Sequence, residues 1–231
     1  MQFDWIYFYL VMPAIIFSLW ASAKVQSTFR RYSRLYSASH ITGAQAAQHI
    51  LYANGLSHVR VERVEGSLTD HYDPRENVIR LSQSVYDSTS TAAIGVAAHE
   101  AGHALQYAED YAPIKLRAAI IPVTNIGSQL AVPLIIIGII FSAYSQIFSL
   151  FAYIGIFFFA VCTFFQLVTL PVEFNASRRA LRAIESQGML SRNELDGSRK
   201  VLSAAAMTYV AALAVSLAQL LRFFMLVNRR D

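Results

Sequence analysis

The chain has 231 residues, 55% of them apolar and 15% charged, a balance that excludes both an ordinary soluble domain and a disordered chain. Lys and Arg number 19 against 15 Asp and Glu; a membrane protein facing anionic lipid carries such an excess, and no nucleic-acid partner is expected. Cys162 is the single cysteine, so an internal disulfide and a thiolate metal cluster are both excluded, and any metal must rest on His, Asp or Glu.

Residues 5–23 form the first apolar run, with only Asp4 charged before them and Lys24, Arg30, Arg31 and Arg34 after. A secretory signal needs its positive charge ahead of the apolar stretch, so residues 1–23 read as an uncleaved anchor with its N-terminus outside. Segment 24–117 reads as a cytoplasmic α+β lobe. Thr42 with Gln45 is a capping box opening a helix that closes at Asn54-Gly55. Alternation then sets in at Val59 and Val61, and turns at Glu65-Gly66 and Asp73-Pro74 lead to the strand-like stretch 77–82, which predicts a short antiparallel sheet. An exposed edge at 77–82 is expected to take an extended peptide as a further strand. Ser88 to Thr91 supply N-cap residues for a helix over 92–108 whose residues are small and apolar on nearly every side, the pattern of a buried helix.

Runs 118–141 and 147–170 are each long enough to cross a hydrocarbon core of about 30 Å, and the uncharged link 142–146 makes them a transmembrane hairpin spanning 118–170. Lys115 and Arg117 precede it and Arg178, Arg179 and Arg182 follow it, which puts both flanks in the cytoplasm. Pro171 is expected to open a new helix within a segment 171–200, and Ser191 with Glu194 forms a second capping box. The last run, within 201–231, is either transmembrane or interfacial, because Arg222, Arg229 and Arg230 conflict with a fourth crossing. The aromatic stretch 157–159 is expected to face lipid.

The chemistry lies at His99-Glu100-Ala101-Gly102-His103, an H-E-x-x-H pattern inside the buried helix. Residues four apart share a helix face, so the two imidazoles can grip one Zn²⁺ while Glu100 stands beside it as general base. Two histidines and a glutamate among Ala, Gly, Val and Leu would be costly without a partner, which favours a bound ion. A catalytic zinc takes three protein ligands. Glu109, six residues beyond His103, points to another side of the helix. Asp70, His71 and Asp73 lie in a turn upstream and stay open as alternatives. Glu173 is the preferred candidate, since two crossings of the membrane return the chain to the side it left.

The order of His99-Glu100-Ala101-Gly102-His103, a membrane hairpin, then Glu173-Phe174-Asn175-Ala176-Ser177-Arg178-Arg179-Ala180 resembles the bacterial YugP-type neutral zinc metallopeptidases. More distantly it is similar to the HtpX and CAAX prenyl endopeptidase group of gluzincins. The resemblance implies His99, His103 and Glu173 as zinc ligands and Glu100 as catalytic base. In the distant group an aspartate four residues after the ligating glutamate supports a histidine; Ser177 stands there, with Asn175 as the alternative support. Tyr209 and His71 are candidates for stabilising the oxyanion, although packing or an interfacial position accounts equally for the tyrosine.

The expectation is therefore a mainly α, polytopic helical membrane protein with a small zincin-like α+β lobe. Its expected activity is that of a zinc-dependent endopeptidase in the bacterial plasma membrane. The active site would be on the cytoplasmic side, with protein or peptide substrates near the bilayer and room for an oligomeric or membrane-complex partner. The alternative is a zinc-binding membrane scaffold or regulator that cleaves nothing. A channel or transporter is disfavoured, since the apolar runs carry almost no ionisable residue before Arg222.

Overall fold

A computed structural model describes residues 5–66 and 68–228; Asp4, Arg229 and Arg230 lie outside them. The chain runs α1 (Met12–Tyr32, entered through a π-helical turn at Tyr7–Val11), α2 (Gly43–Ala53), β1 (Arg60–Val64), β2 (His71–Asp73), β3 (Val78–Ser82), α3 (Gln83–Tyr86), α4 (Thr91–Ala108), α5 (Ala112–Phe141), α6 (Gln146–Ser186) and α7 (Arg192–Asn228). Among the described residues, four helical stretches are long and apolar enough to cross a membrane: Tyr7–Tyr32, Ala112–Phe141, Gln146–Ser186 and Arg192–Asn228. The chain divides into two compact units.

The first unit holds α1 through Trp20, Leu116–Leu170 and α7 from Thr208. Its helices meet through small residues, which let backbones approach: a Cβ on Gly138 would lie 2.5 Å from the Cβ of Ala152, and one on Gly155 would lie 2.7 Å from Ala131 O. A buried hydrogen bond of 2.8 Å between the Thr163 and Ser216 hydroxyls ties α6 to α7. Arg222, the charge in the last apolar run, lies 4.8 Å from the centroid of the Tyr7 ring and donates to Gln219 Oε1, so a π face and an amide oxygen stand in for water. Of the aromatic stretch expected to face lipid, Phe157 is 63% exposed. Phe158 instead packs against Gly127 of α5 and Phe159 against Phe223 of α7.

The second unit holds Ala21–Lys115 and Pro171–Met207. The capping box forms as expected: Thr42 Oγ1 accepts from Gln45 N and Gln45 Oε1 accepts from Thr42 N. Helix α4 is capped by Ser90, whose hydroxyl accepts from Ala93 N. Ile50 and Leu51 of α2, Ile79 and Leu81 of β3, Ile94, Ala97 and Ala101 of α4, and Ala180 and Ile184 of α6 share one core, so α4 is enclosed as its composition requires.

Two expectations are corrected here. The sheet is mixed, not antiparallel: β2 and β3 form the hairpin, with Tyr72 opposite Ile79, but β3 also pairs in parallel with β1, from Arg60↔Val78 to Val64↔Ser82, in the order β1-β3-β2. Val78, Ile79 and Leu81 are each fully buried, so β3 is apolar towards both faces and belongs at the centre. The link from β1 to β2, turning through Gly66 at φ +103°, steps past the place β3 takes. With partners on both sides β3 has no free edge, and strand addition at 77–82 is excluded. Pro171, likewise, opens no new helix; it lies inside the 41-residue α6, which absorbs the one backbone donor it lacks.

Candidate metal centre

Helix α4 sets His99 and His103 one turn apart, their ring centroids 4.7 Å from one another and their planes nearly perpendicular. Glu173, on α6, is 2% exposed, and its Oε2 lies 3.3 Å from His99 Nε2 and 3.7 Å from His103 Nε2. One ligand atom from each of the three residues falls within 4.8 Å of the others. The approach of the two helices depends on Gly102: a Cβ there would lie 2.6 Å from Ala176 O, closer than any side chain tolerates. Ala101 is buried and Gly102 is the contact with α6, so these two of the three residues between His99 and His103 are small for packing reasons.

This donor set fits a zinc ion. Each imidazole is oriented through its other nitrogen: His99 Nδ1 lies 3.0 Å from Ser177 Oγ and His103 Nδ1 lies 2.9 Å from Gln106 Oε1. Both Nε2 atoms are thereby turned towards the same carboxylate oxygen, the arrangement in which neutral histidines ligate a metal. Nitrogen and carboxylate oxygen donors with no thiolate suit zinc. Burial disfavours the charged imidazole of His103, but the neighbouring carboxylates of Glu173 and Glu100 outweigh it, and its pKa lies above the ordinary histidine value. The buried carboxylates of Glu173 and Glu100 beside the two imidazoles suit a divalent cation. Glu100, 8% exposed, follows His99 on the same helix and completes the buried acidic surroundings.

The remaining sequence candidates each have their own surroundings. Asp70 accepts from Ser82 N at 2.8 Å and from the Ser82 hydroxyl; burial holds its carboxyl above the usual range although those hydrogen bonds pull it down. Asp73 caps the following turn at Arg75 N and pairs with Arg80. His71 is exposed, its Nδ1 2.7 Å from Thr69 O. Glu109 pairs with Arg179 at 2.6 Å, which holds its carboxyl below the ordinary range. Tyr209, 37% exposed, belongs to the first unit. Asn175 accepts from Gln106 rather than from a histidine. Gln106 itself was not singled out from the sequence; its position three residues after His103, on the same helix face, is the signal that marks it.

A family model described as "Putative neutral zinc metallopeptidase" matches residues 7–228. The chain is 49% identical over 227 residues, 98% of its own length and 99% of the relative's, to the "Putative membrane protease YugP" of Bacillus subtilis (strain 168). No solved structure matches.

Proposed function

The chain belongs to the neutral zinc metallopeptidase family whose model spans residues 7–228, and from that premise we propose that it is a membrane endopeptidase in which His99, His103 and Glu173 hold zinc and Glu100 is the general base. The observation that carries the reading is the convergence of both Nε2 atoms on Glu173 Oε2, at 3.3 and 3.7 Å, next to a buried glutamate that the ligand set leaves over. When bound there, zinc supplies a Lewis acid that polarises the scissile carbonyl and activates water for attack. Glu100 takes a proton from the attacking water as its oxygen bonds to the carbonyl carbon. It then returns that proton to the amine as the C–N bond breaks. Ser177 and Gln106 hold the imidazole rings so that their Nε2 atoms keep one direction throughout. The substrates proposed are proteins or peptides near the bilayer surface, because the lobe is tied at both ends to apolar helices.

Zinc content and peptide cleavage measured on the purified full chain test this reading. One zinc ion per chain is expected, with cleavage lost on chelation and restored by zinc; a preparation that cleaves peptide equally well after its metal has been stripped refutes it.

The positive flanks of the hairpin at Lys115, Arg117, Arg178, Arg179 and Arg182 support a cytoplasmic site in a bacterial plasma membrane. Protease added to sealed right-side-out vesicles is then expected to spare segment 24–117, while inverted vesicles expose it. Cleavage of that segment in intact right-side-out vesicles would reverse the orientation.

A further inference from the structure

Gln106 is fully buried, and its side-chain nitrogen donates to Val172 O at 2.8 Å and to Asn175 Oδ1 at 3.0 Å. A peptide carbonyl has no proton to give, so the atom facing Val172 must be the nitrogen and the amide has only one orientation. With both N–H groups engaged, Oε1 is left to face His103 Nδ1 at 2.9 Å. An amide oxygen only accepts, so the proton of a neutral His103 sits on Nδ1 and Nε2 is bare on the side of Glu173. Asn175 is fixed in its turn: Arg179 Nε donates to Asn175 Oδ1 at 2.7 Å, and Arg179 Nη1 donates to Glu109 Oε1 at 2.6 Å. Arginine is a donor in every protonation state a protein reaches, so it too requires the oxygen of Asn175 on this side.

From this chain of forced orientations we infer that Gln106, held by Asn175 and Arg179, is a positioning residue that locks the tautomer and ring direction of His103 for metal binding. The inference rests on the zinc site proposed above and adds residues that do not touch the ion. The two histidines differ in this respect. Ser177 beside His99 carries a hydroxyl that donates or accepts, and so does not by itself select a tautomer. Gln106 does.

The test uses the purified full chain, with zinc affinity read by competition against a chromophoric chelator and ligand geometry read from the visible spectrum of Co²⁺ in place of zinc. Gln106→Leu removes the acceptor and is expected to weaken zinc binding about tenfold to a hundredfold and to alter the cobalt bands. Gln106→Glu keeps an oxygen for Nδ1 in either protonation state and is expected to bind zinc more tightly than Gln106→Leu, a rescue that a purely structural role would not produce. Asn175→Leu, which frees one of the Gln106 N–H groups, gives a smaller loss in the same direction and serves if Gln106→Leu fails to fold. A folded Gln106→Leu or Asn175→Leu with wild-type affinity and cobalt spectrum overturns the inference while leaving the zinc site standing. A wild-type chain that binds neither metal removes the zinc site, and the role of Gln106 with it.

Discussion

Glu100→Gln is expected to retain one zinc ion per chain and to lose peptide cleavage by about a thousandfold or more, within the range that removal of a positioned acid or base produces. The substitution is close to isosteric, and Glu100 is 8% exposed, so packing in α4 is preserved. The three groups that converge to within 4.8 Å are His99, His103 and Glu173, and Glu100 is not among them; its removal therefore leaves the ligand set whole. A glutamine amide neither accepts a proton from water at neutral pH nor returns one to a leaving amine, so the loss should appear in kcat with little change in KM. Zinc content and steady-state cleavage measured on the same preparation separate the outcomes. Retained zinc with retained cleavage would transfer the base to another residue, and retained zinc with no cleavage in the wild type would leave a binding protein.

What the sequence makes visible and what it hides divide along a physical line. The pairing of His99 with His103 follows from helical geometry alone, because four residues make little more than one turn. Glu173 was accessible by parity: a chain that leaves through one apolar run and returns through another brings the next carboxylate back to its starting side. The position of β3 was harder to read, since strand order depends on which edges meet after collapse, and periodicity within 77–82 does not report a partner as distant as β1. Its signal was the near-continuous burial demand of Val78, Ile79 and Leu81, a mark of a strand covered on both faces. Pro171 misled for the converse reason. A proline's local preference for a helix start is weak against the continuity of an apolar helix already formed on both sides of it. Gln106 was hidden because glutamine is common on helices, and only its place after His103, with Asn175 and Arg179 brought beside it by α6, gives it meaning.

On the proposed site, Gly102→Val should abolish zinc binding as thoroughly as Glu173→Ala does, although one substitution touches no proposed ligand and the other deletes one. Glu173→Ala removes a carboxylate that is 2% exposed and lies 3.3 and 3.7 Å from the two Nε2 atoms, leaving two imidazoles, a set too small for tight zinc binding. Gly102→Val acts on distance. A Cβ at Gly102 would lie 2.6 Å from Ala176 O and 3.3 Å from Ala176 Cα, and these are backbone atoms that no rotamer change can move aside. α4 and α6 must therefore separate by the order of an ångström, at about 1–3 kcal/mol for overpacking, and the Glu173 carboxylate withdraws from the histidines by a similar distance. Ligand bonds near 2 Å do not stretch that far. Both variants are expected to fall below wild-type zinc occupancy by at least about a hundredfold in affinity, but their metal-free forms should differ. Glu173→Ala keeps the helix contact, whereas Gly102→Val forces it apart and melts at lower temperature than the metal-free wild type. Wild-type zinc affinity in a folded Gly102→Val protein would show that the closeness of these two helices does not build the site.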